Sequence, residues 1–260
     1  LFPAVPQAGD DADELARLTS LADPEQIAGL SPYAADPNVS VMADKGKAYP
    51  RLDWQAETTI GLAPDLVLVG PIDRVATRRM LQAQGVRVVE IELVTDLSAA
   101  RAQILQVADL LGHPERGRRL AQAFDAARTR LAHAPRLPFR TALAIERSGY
   151  AAGPRSLTAA LLAEVGLRSP AGSPSGYGGY IPLEDLLVLH PDLLVLEEPQ
   201  VGPTDQGALY LTHPALQRLY PPQRRLGLPH RLQICGGPSA IAALDHLGDE
   251  MRRLAAAAEH

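Results

Sequence analysis

Glu57-Thr-Thr-Ile-Gly-Leu-Ala-Pro64-Asp65-Leu-Val-Leu-Val69 returns 127 residues further on as Glu184-Asp-Leu-Leu-Val-Leu-His-Pro191-Asp192-Leu-Leu-Val-Leu196. The Glu, one Leu, the Pro, the Asp and a second Leu are identical, and the rest of the apolar run is conservative. Each copy reads as a short helix opened by an acidic residue, a Pro-Asp turn, and a strand apolar enough to be buried on both faces. An acidic residue in a first helical turn is also favoured by the helix dipole.

Each copy is followed by the same order of elements. After the first, a helical stretch from about Asp73 to Gln84 leads through Gly85 into a strand, Val86 to Leu93. Strand, helix, strand at this spacing is one right-handed crossover unit. A helix from about Leu97 to Leu111 then places Ala100, Ile104, Val107, Ala108 and Leu111 on one face. Pro114 opens a longer helix, where its missing N–H costs nothing, and Leu120, Phe124, Ala127 and Leu131 repeat along it until Pro135. Beyond it the pattern restarts with a strand at Thr141–Glu146, a helix capped by Ser156, and the strand Asp192–Leu196. Helical pattern resumes at Asp205–Tyr220, then a strand at Arg231–Cys235 and a final helix from Ser239 to about Ala257. The expected architecture is α/β, with two similar lobes of parallel-rich sheets at residues 1–113 and 135–260. One long connector helix at 114–134 joins them, and a ligand cleft between the lobes is expected.

The 46% hydrophobic and 21% charged content is that of a globular chain with material for a core. No uncharged apolar run approaches the roughly 18 residues of a membrane span. A net charge of −5 without a basic tract gives nucleic acid no footprint. The single Cys235 excludes an internal disulfide and any multi-cysteine metal site. The chain opens Leu1-Phe2-Pro3, an end that removal of a secretory signal peptide or trimming would leave.

The acidic-helix, Pro-Asp, strand pattern in both halves resembles the helical-backbone (class III) periplasmic substrate-binding proteins of ABC importers for ferric siderophores, haem or cobalamin. Ala22-Asp23-Pro24 to Ile27-Ala28-Gly29-Leu30-Ser31 and the single long connector carry the same resemblance. The opening segment, with Pro3 and Pro6, departs from the β-branched first strand of that family and reads as an edge or irregular stretch. The resemblance implies a periplasmic, monomeric carrier of a bulky metal chelate, of iron–siderophore or cobalamin type, with ABC permease subunits as partners. It implies no catalysis, no cofactor, no nucleic acid and no membrane insertion.

By the same resemblance Glu57 and Glu184, one per lobe, are docking carboxylates for arginines on the two permease subunits. Tyr33, Trp54, Tyr150, Tyr177 and Tyr180 lie in loops that would face the ligand. In a chain with only 4% aromatic residues their clustering is informative, and flat rings stack on macrocycles and catechols at little entropic cost. Arg51, Arg147 and Arg155 sit in or beside those loops, able to pair with ligand carboxylates. The seven histidines show no pairing with nearby acids of the kind metal sites use. With no axial ligand standing out, an iron chelate or cobalamin is preferred over haem. Cys235-Gly236-Gly237-Pro238-Ser239 lacks the Lys of a phosphate loop and reads as a turn opening a helix. Two alternatives stand beside this reading: a two-lobed α/β enzyme acting on a nucleotide or sugar, using acids such as Asp10, Asp13 and Glu146, or the same fold binding an atypical non-metal ligand.

Overall fold

The computed structural model describes residues 20–53, 55–71, 75–197 and 210–258. The opening segment with Asp10 and Asp13, Trp54, the start of the helix at Asp73, the stretch from Asp205 to 209, and His260 lie outside the described residues.

The chain divides into two compact units. The first holds the described residues up to Val94, with Ser98–Phe124 and Ile234–Ala240. The second holds Thr95–Leu97, Asp125–Gln233 and the described residues from Ile241 onward.

In the first unit a one-turn helix α1 (Ala43–Gly46) and the helix α2 (Ala56–Gly61) precede strand β1 (Leu66–Val69). Helix α3 (Val75–Ala83) crosses over to β2 (Arg87–Glu90), which pairs with β1 in parallel from Leu66↔Arg87 to Val69↔Glu90. This is the crossover the first repeat copy predicts. Helix α4 (Leu97–Leu110) comes next, its Ala100, Ile104, Val107 and Ala108 all buried, as the spacing requires. Leu68, Ile91, Val107 and Ala108 form one core cluster with Leu21. Helix α5 (Pro114–Ala132) is the long helix begun by Pro114. Gly117 lets it approach α4, because a Cβ there would collide with the Ala108 side chain. The boundary between the units falls within this helix, after Phe124.

The second unit is built on β3 (Ala142–Ala144), β6 (Leu193–Leu196) and β7 (Arg225–Gly227), parallel and ordered β3-β6-β7. The intervening pair β4 (Tyr150–Ala152) and β5 (Gly178–Tyr180) is antiparallel. Helix α6 (Leu157–Glu164) starts at Ser156, whose hydroxyl accepts from the Ala159 N–H at 3.1 Å, the cap expected of it. Helix α7 (Leu183–Leu189) precedes β6, α8 (Pro214–Leu219) precedes β7, and α9 (Gly237–Ala258) ends the described chain.

One expected strand is absent. Arg231–Cys235 does not extend; His230–Leu232 is a 3-10 turn instead, closed by Leu232 N–H to Pro229 O at 2.9 Å and Gln233 N–H to His230 O at 2.8 Å. The Gln233 amide also donates to Leu228 O at 2.5 Å. Pro229 pre-sets the turn, and the third strand of the sheet lies earlier, at β7. There the buried Arg225 satisfies its guanidinium on Tyr220 O at 2.6 Å and Gln217 Oε1 at 2.7 Å.

The repeat holds in conformation as well as in sequence. Glu57 and Glu184 both lie in first helical turns, and Thr59 and Leu186, two residues on in each, are both buried. Ala63 and His190 both adopt left-handed backbone, at φ 48° and 44°, and end the helical stretches of α2 and α7 before Pro64 and Pro191. The copies differ at the aspartate. Asp65 is exposed. Asp192 Oδ2 accepts from the N–H groups of Arg140 and Thr141, each at 2.8 Å, and from Thr141 Oγ1 at 2.9 Å. Burial alone would raise the Asp192 pKa, but those donors and the nearby Arg224 hold it below the ordinary carboxylate value.

Candidate functional site

Two of the predicted aromatic residues of the second unit come together, and the third lies beside an arginine. In the β4–β5 ladder Tyr150 pairs opposite Tyr180, and their rings meet edge to face with centroids 5.5 Å apart. The Arg155 guanidinium lies 5.0 Å above the Tyr177 ring. Tyr177 is 42% and Tyr180 65% exposed, so each pair, Tyr150 with Tyr180 and Arg155 with Tyr177, offers ring surface to solvent along the same short ladder, the tyrosine ledge. Glycines make the close approach possible. A Cβ on Gly153 would stand 2.5 Å from Gly176 O, and one on Gly178 would strike Ala151 O and come within 2.8 Å of Tyr150 Oη. Gly178 has φ 147°, outside the usual range of other residues.

Next to the ledge, the carboxyl ends of the parallel strands carry a group that sequence reading did not assemble. Glu146, whose N–H donates to Tyr150 O at 2.7 Å, lies just past β3. Glu197 follows β6, and His230 lies just beyond β7, with its Nδ1 3.9 Å from Glu146 Oε1. Desolvation pushes the Glu146 pKa up, His230 opposes that rise, and Glu197 adds to it. Only the order of the strands in space brings these three residues to adjacent positions.

In the first unit Tyr33 is half-buried, packed with Val39, Ile234 and Cys235. Its N–H donates to Ser31 Oγ at 3.3 Å, fixing the turn Pro32–Ala35. Tyr33 thereby meets the Cys235-Gly236 turn that opens α9. Arg51 is exposed and forms a β-bridge with Leu30, and Arg147 is exposed next to Glu146. A cavity of about 600 Å³ lies in this unit beside β1, lined by apolar side chains such as Leu30, Leu52, Leu66 and Leu81. None of the predicted aromatic residues is among its described lining.

Glu57 and Glu184 are both exposed, and among the described residues neither has an ion-pair partner. Burial, with Glu184 and Asp185 close by, pushes the Tyr210 phenol up to about 12. Its hydroxyl remains a donor, bonded to Ile181 O at 2.9 Å. Ile181 and Pro182 alone separate β5 from α7.

Four of the described histidines have structural partners. His113 Nε2 contacts Gln26 Oε1 at 2.7 Å, and His133 Nδ1 contacts Thr129 O at 2.7 Å. His213 caps α8 by accepting from Ala215 N–H at 3.2 Å, and His246 Nε2 lies 3.0 Å from Gly227 O. Among the described residues no group of three or more His, Cys, Asp or Glu side chains is placed to hold a metal ion. No helix among them is long and apolar enough to cross a membrane.

Comparison with solved structures places this fold. A periplasmic haem-binding protein from Roseiflexus sp. RS-1, in apo form, superposes with a TM-score of 0.73 at 22% identity, covering 94% of this chain and 97% of that one. An ABC-type Fe3+-hydroxamate transport protein from Saccharomonospora viridis DSM 43017 gives 0.67 at 20% identity, covering 92% and 90%. The periplasmic vitamin B12 binding protein of Vibrio cholerae gives 0.68 at 14%, covering 94% of each. No curated protein sequence matches the chain. The family model described as "Periplasmic binding protein" matches residues 11–219, four fifths of the sequence and both repeat copies, and the chain therefore belongs to the periplasmic binding protein family.

Proposed function

We propose that this protein captures a bulky metal chelate, of iron–siderophore or cobalamin type, in the periplasm and delivers it to an ABC importer. Family membership supports binding and delivery rather than turnover. The observation that carries the ligand side is the exposed ledge of Tyr177 and Tyr180, braced by Tyr150 and Arg155. A pre-formed aromatic surface loses little ordering free energy when a ring system settles on it. Tyr33 contributes from the first unit, and Trp54 completes the set of ligand-binding aromatics in this reading. Glu57 and Glu184 are the docking carboxylates, exposed at the starts of equivalent helices and able to meet basic side chains. The protein acts as a monomer.

The test is a visible absorption spectrum after incubation with cyanocobalamin, ferrichrome, ferric enterobactin or haem, each followed by desalting. Colour retained at one equivalent with one of the chelates is the expected result, and Tyr177→Ala with Tyr180→Ala reduces it. A protein that stays colourless with all four, while native mass spectrometry finds a non-metal compound bound, overturns the metal-chelate reading.

A further inference from the structure

The two docking helices are built on the same plan but present different surfaces. Position four after the docking carboxylate is Gly61 in α2 and Val188 in α7, one helical turn along the same face. Val188 is 83% exposed, so it gains almost nothing from the core of its own unit. Gly61 is equally without an internal reason. A Cβ built there meets nothing within 4 Å, and its φ is not left-handed, so the fold would accept a side chain. Glycine in a helix is disfavoured relative to alanine, and an exposed valine is disfavoured by water. Neither choice is explained by packing within its unit.

The residue after each carboxylate differs in the same sense. Thr58 follows Glu57, whereas Asp185 follows Glu184, and both are exposed. The α7 face thus carries two carboxylates and an apolar tip, and the α2 face one carboxylate and bare backbone. Among the described residues neither Glu184 nor Asp185 has an ion-pair partner, and Tyr210 beside them is neutral.

We infer that the docking faces are unequal, and that the α7 face fits a permease surface in which basic side chains flank an apolar recess for Val188. The α2 face fits a surface that closes on the backbone at Gly61. This rests on the reading of Glu57 and Glu184 as docking residues. It assigns to Val188 and Gly61 the orientation of the carrier on the importer. Charge steers the encounter, and the apolar tip and the bare glycine fix which unit meets which side.

The experiment measures binding of the ligand-free protein to its cognate importer in lipid nanodiscs by biolayer interferometry. Val188→Asp weakens binding at least tenfold, Asp185→Asn about threefold, and Gly61→Val at least threefold, with melting temperature unchanged in each. If Glu184→Gln weakens binding but Val188→Asp and Gly61→Val bind like the parent, the inference falls and the docking reading stands. If Glu57→Gln and Glu184→Gln both bind like the parent, the docking reading falls and takes the inference with it. Sedimentation velocity separates the remaining occupant: a dimer of the parent protein that Val188→Asp dissociates makes this face a contact between copies and overturns the inference.

Discussion

Ala63 and His190 occupy the same left-handed backbone conformation at equivalent places in the two halves, with φ 48° and 44°. Neither is glycine, although left-handed backbone costs an L-residue roughly 1–2 kcal/mol. The conformation is imposed by the neighbouring elements. Each residue must end a helix and turn the chain through Pro-Asp into a buried strand within two residues.

Ala63→Gly relieves that strain without removing packing, since Ala63 is exposed. Set against the greater freedom of glycine in the unfolded chain, the net gain is about 0.5–1 kcal/mol, seen as a rise in melting temperature. His190→Gly gains less, because the imidazole ring packs 6.2 Å from that of Tyr220. Ala63→Val moves the other way, by about 1 kcal/mol or more, since a β-branched side chain tolerates this region worst. Equal melting temperatures for the three variants would show that the turn stores no strain.

Asp192 and Asp65 are the same residue in two copies, yet their removal has unequal effects. Asp192→Ala strands the Arg140 and Thr141 amides and loses a hydroxyl donor, a cost of about 2–3 kcal/mol. Asp65→Ala, at an exposed site, costs less than about 0.5 kcal/mol. The pKa of Asp192 is depressed in the fold, so its contribution is complete above the unfolded carboxylate value, near about pH 4. It is lost as pH falls through the lower folded value. Urea denaturation at about pH 7 and about pH 3 reads this: the gap between parent and Asp192→Asn narrows at the lower pH.

Glu250 is a second acid-sensitive point of the same unit. It is 8% exposed, accepts from Gly227 N–H at 2.6 Å, and is bridged by Arg253 at 2.8 Å. Burial raises its pKa, and the Arg253 and Gly227 donors more than offset that. Glu250→Ala therefore leaves the Gly227 amide without its acceptor and takes the carboxylate from Arg253, which keeps its bond to Arg225 O, costing about 3 kcal/mol. Arg253→Met in the Glu250→Ala background recovers nothing for the Gly227 amide. The double variant stays within about 1 kcal/mol of the single one in chemical denaturation.

The repeat made most of this architecture legible. Leu193–Leu196 is buried at every position, so an unbroken apolar run announced it, and Pro191-Asp192 marked where it began. Strand β7 stayed hidden because Arg225-Leu226-Gly227 has no run to see. It holds a buried arginine whose guanidinium donates to Tyr220 O and Gln217 Oε1. The three-residue strands β4 and β5 are too short for any period, and Gly178-Gly179 reads as a loop. The tyrosines were visible as a scarce residue type, but the pairing of Tyr150 with Tyr180 across the intervening helix was not. The adjacency of Glu146, Glu197 and His230 comes from the spatial order β3-β6-β7, which no local pattern encodes.

The tyrosine ledge depends on backbone that only glycine permits. On the proposed reading, Tyr177→Ala and Tyr180→Ala each weaken chelate binding about tenfold, the loss of one stacked ring, at roughly 1–1.5 kcal/mol. Tyr180→Phe keeps the ring and stays within about twofold. Gly178→Ala leaves both rings in the sequence but forces a Cβ against Ala151 O and Tyr150 Oη, so affinity falls although no aromatic residue is lost. Titration of the retained colour measures all four. Binding by Gly178→Ala at the parental affinity would show that the ladder geometry plays no part.

On the proposed reading of Glu57 and Glu184, docking and capture separate in the Glu57→Ala, Glu184→Ala double variant. Both side chains are exposed at helix starts, so the fold keeps its melting temperature to within a few degrees. Chelate affinity in solution stays within about twofold, because neither carboxylate belongs to the tyrosine ledge. Uptake by cells relying on this protein falls at least about tenfold, and each single variant falls between parent and double. Surface carboxylates act mainly on encounter and orientation, so parental docking weakens as ionic strength rises past the range where the Debye length is about 8 Å. The double variant shows a weaker salt dependence, carried by Asp185 and the charges that remain. A fall in chelate affinity parallel to the fall in uptake would instead place Glu57 and Glu184 at the ligand.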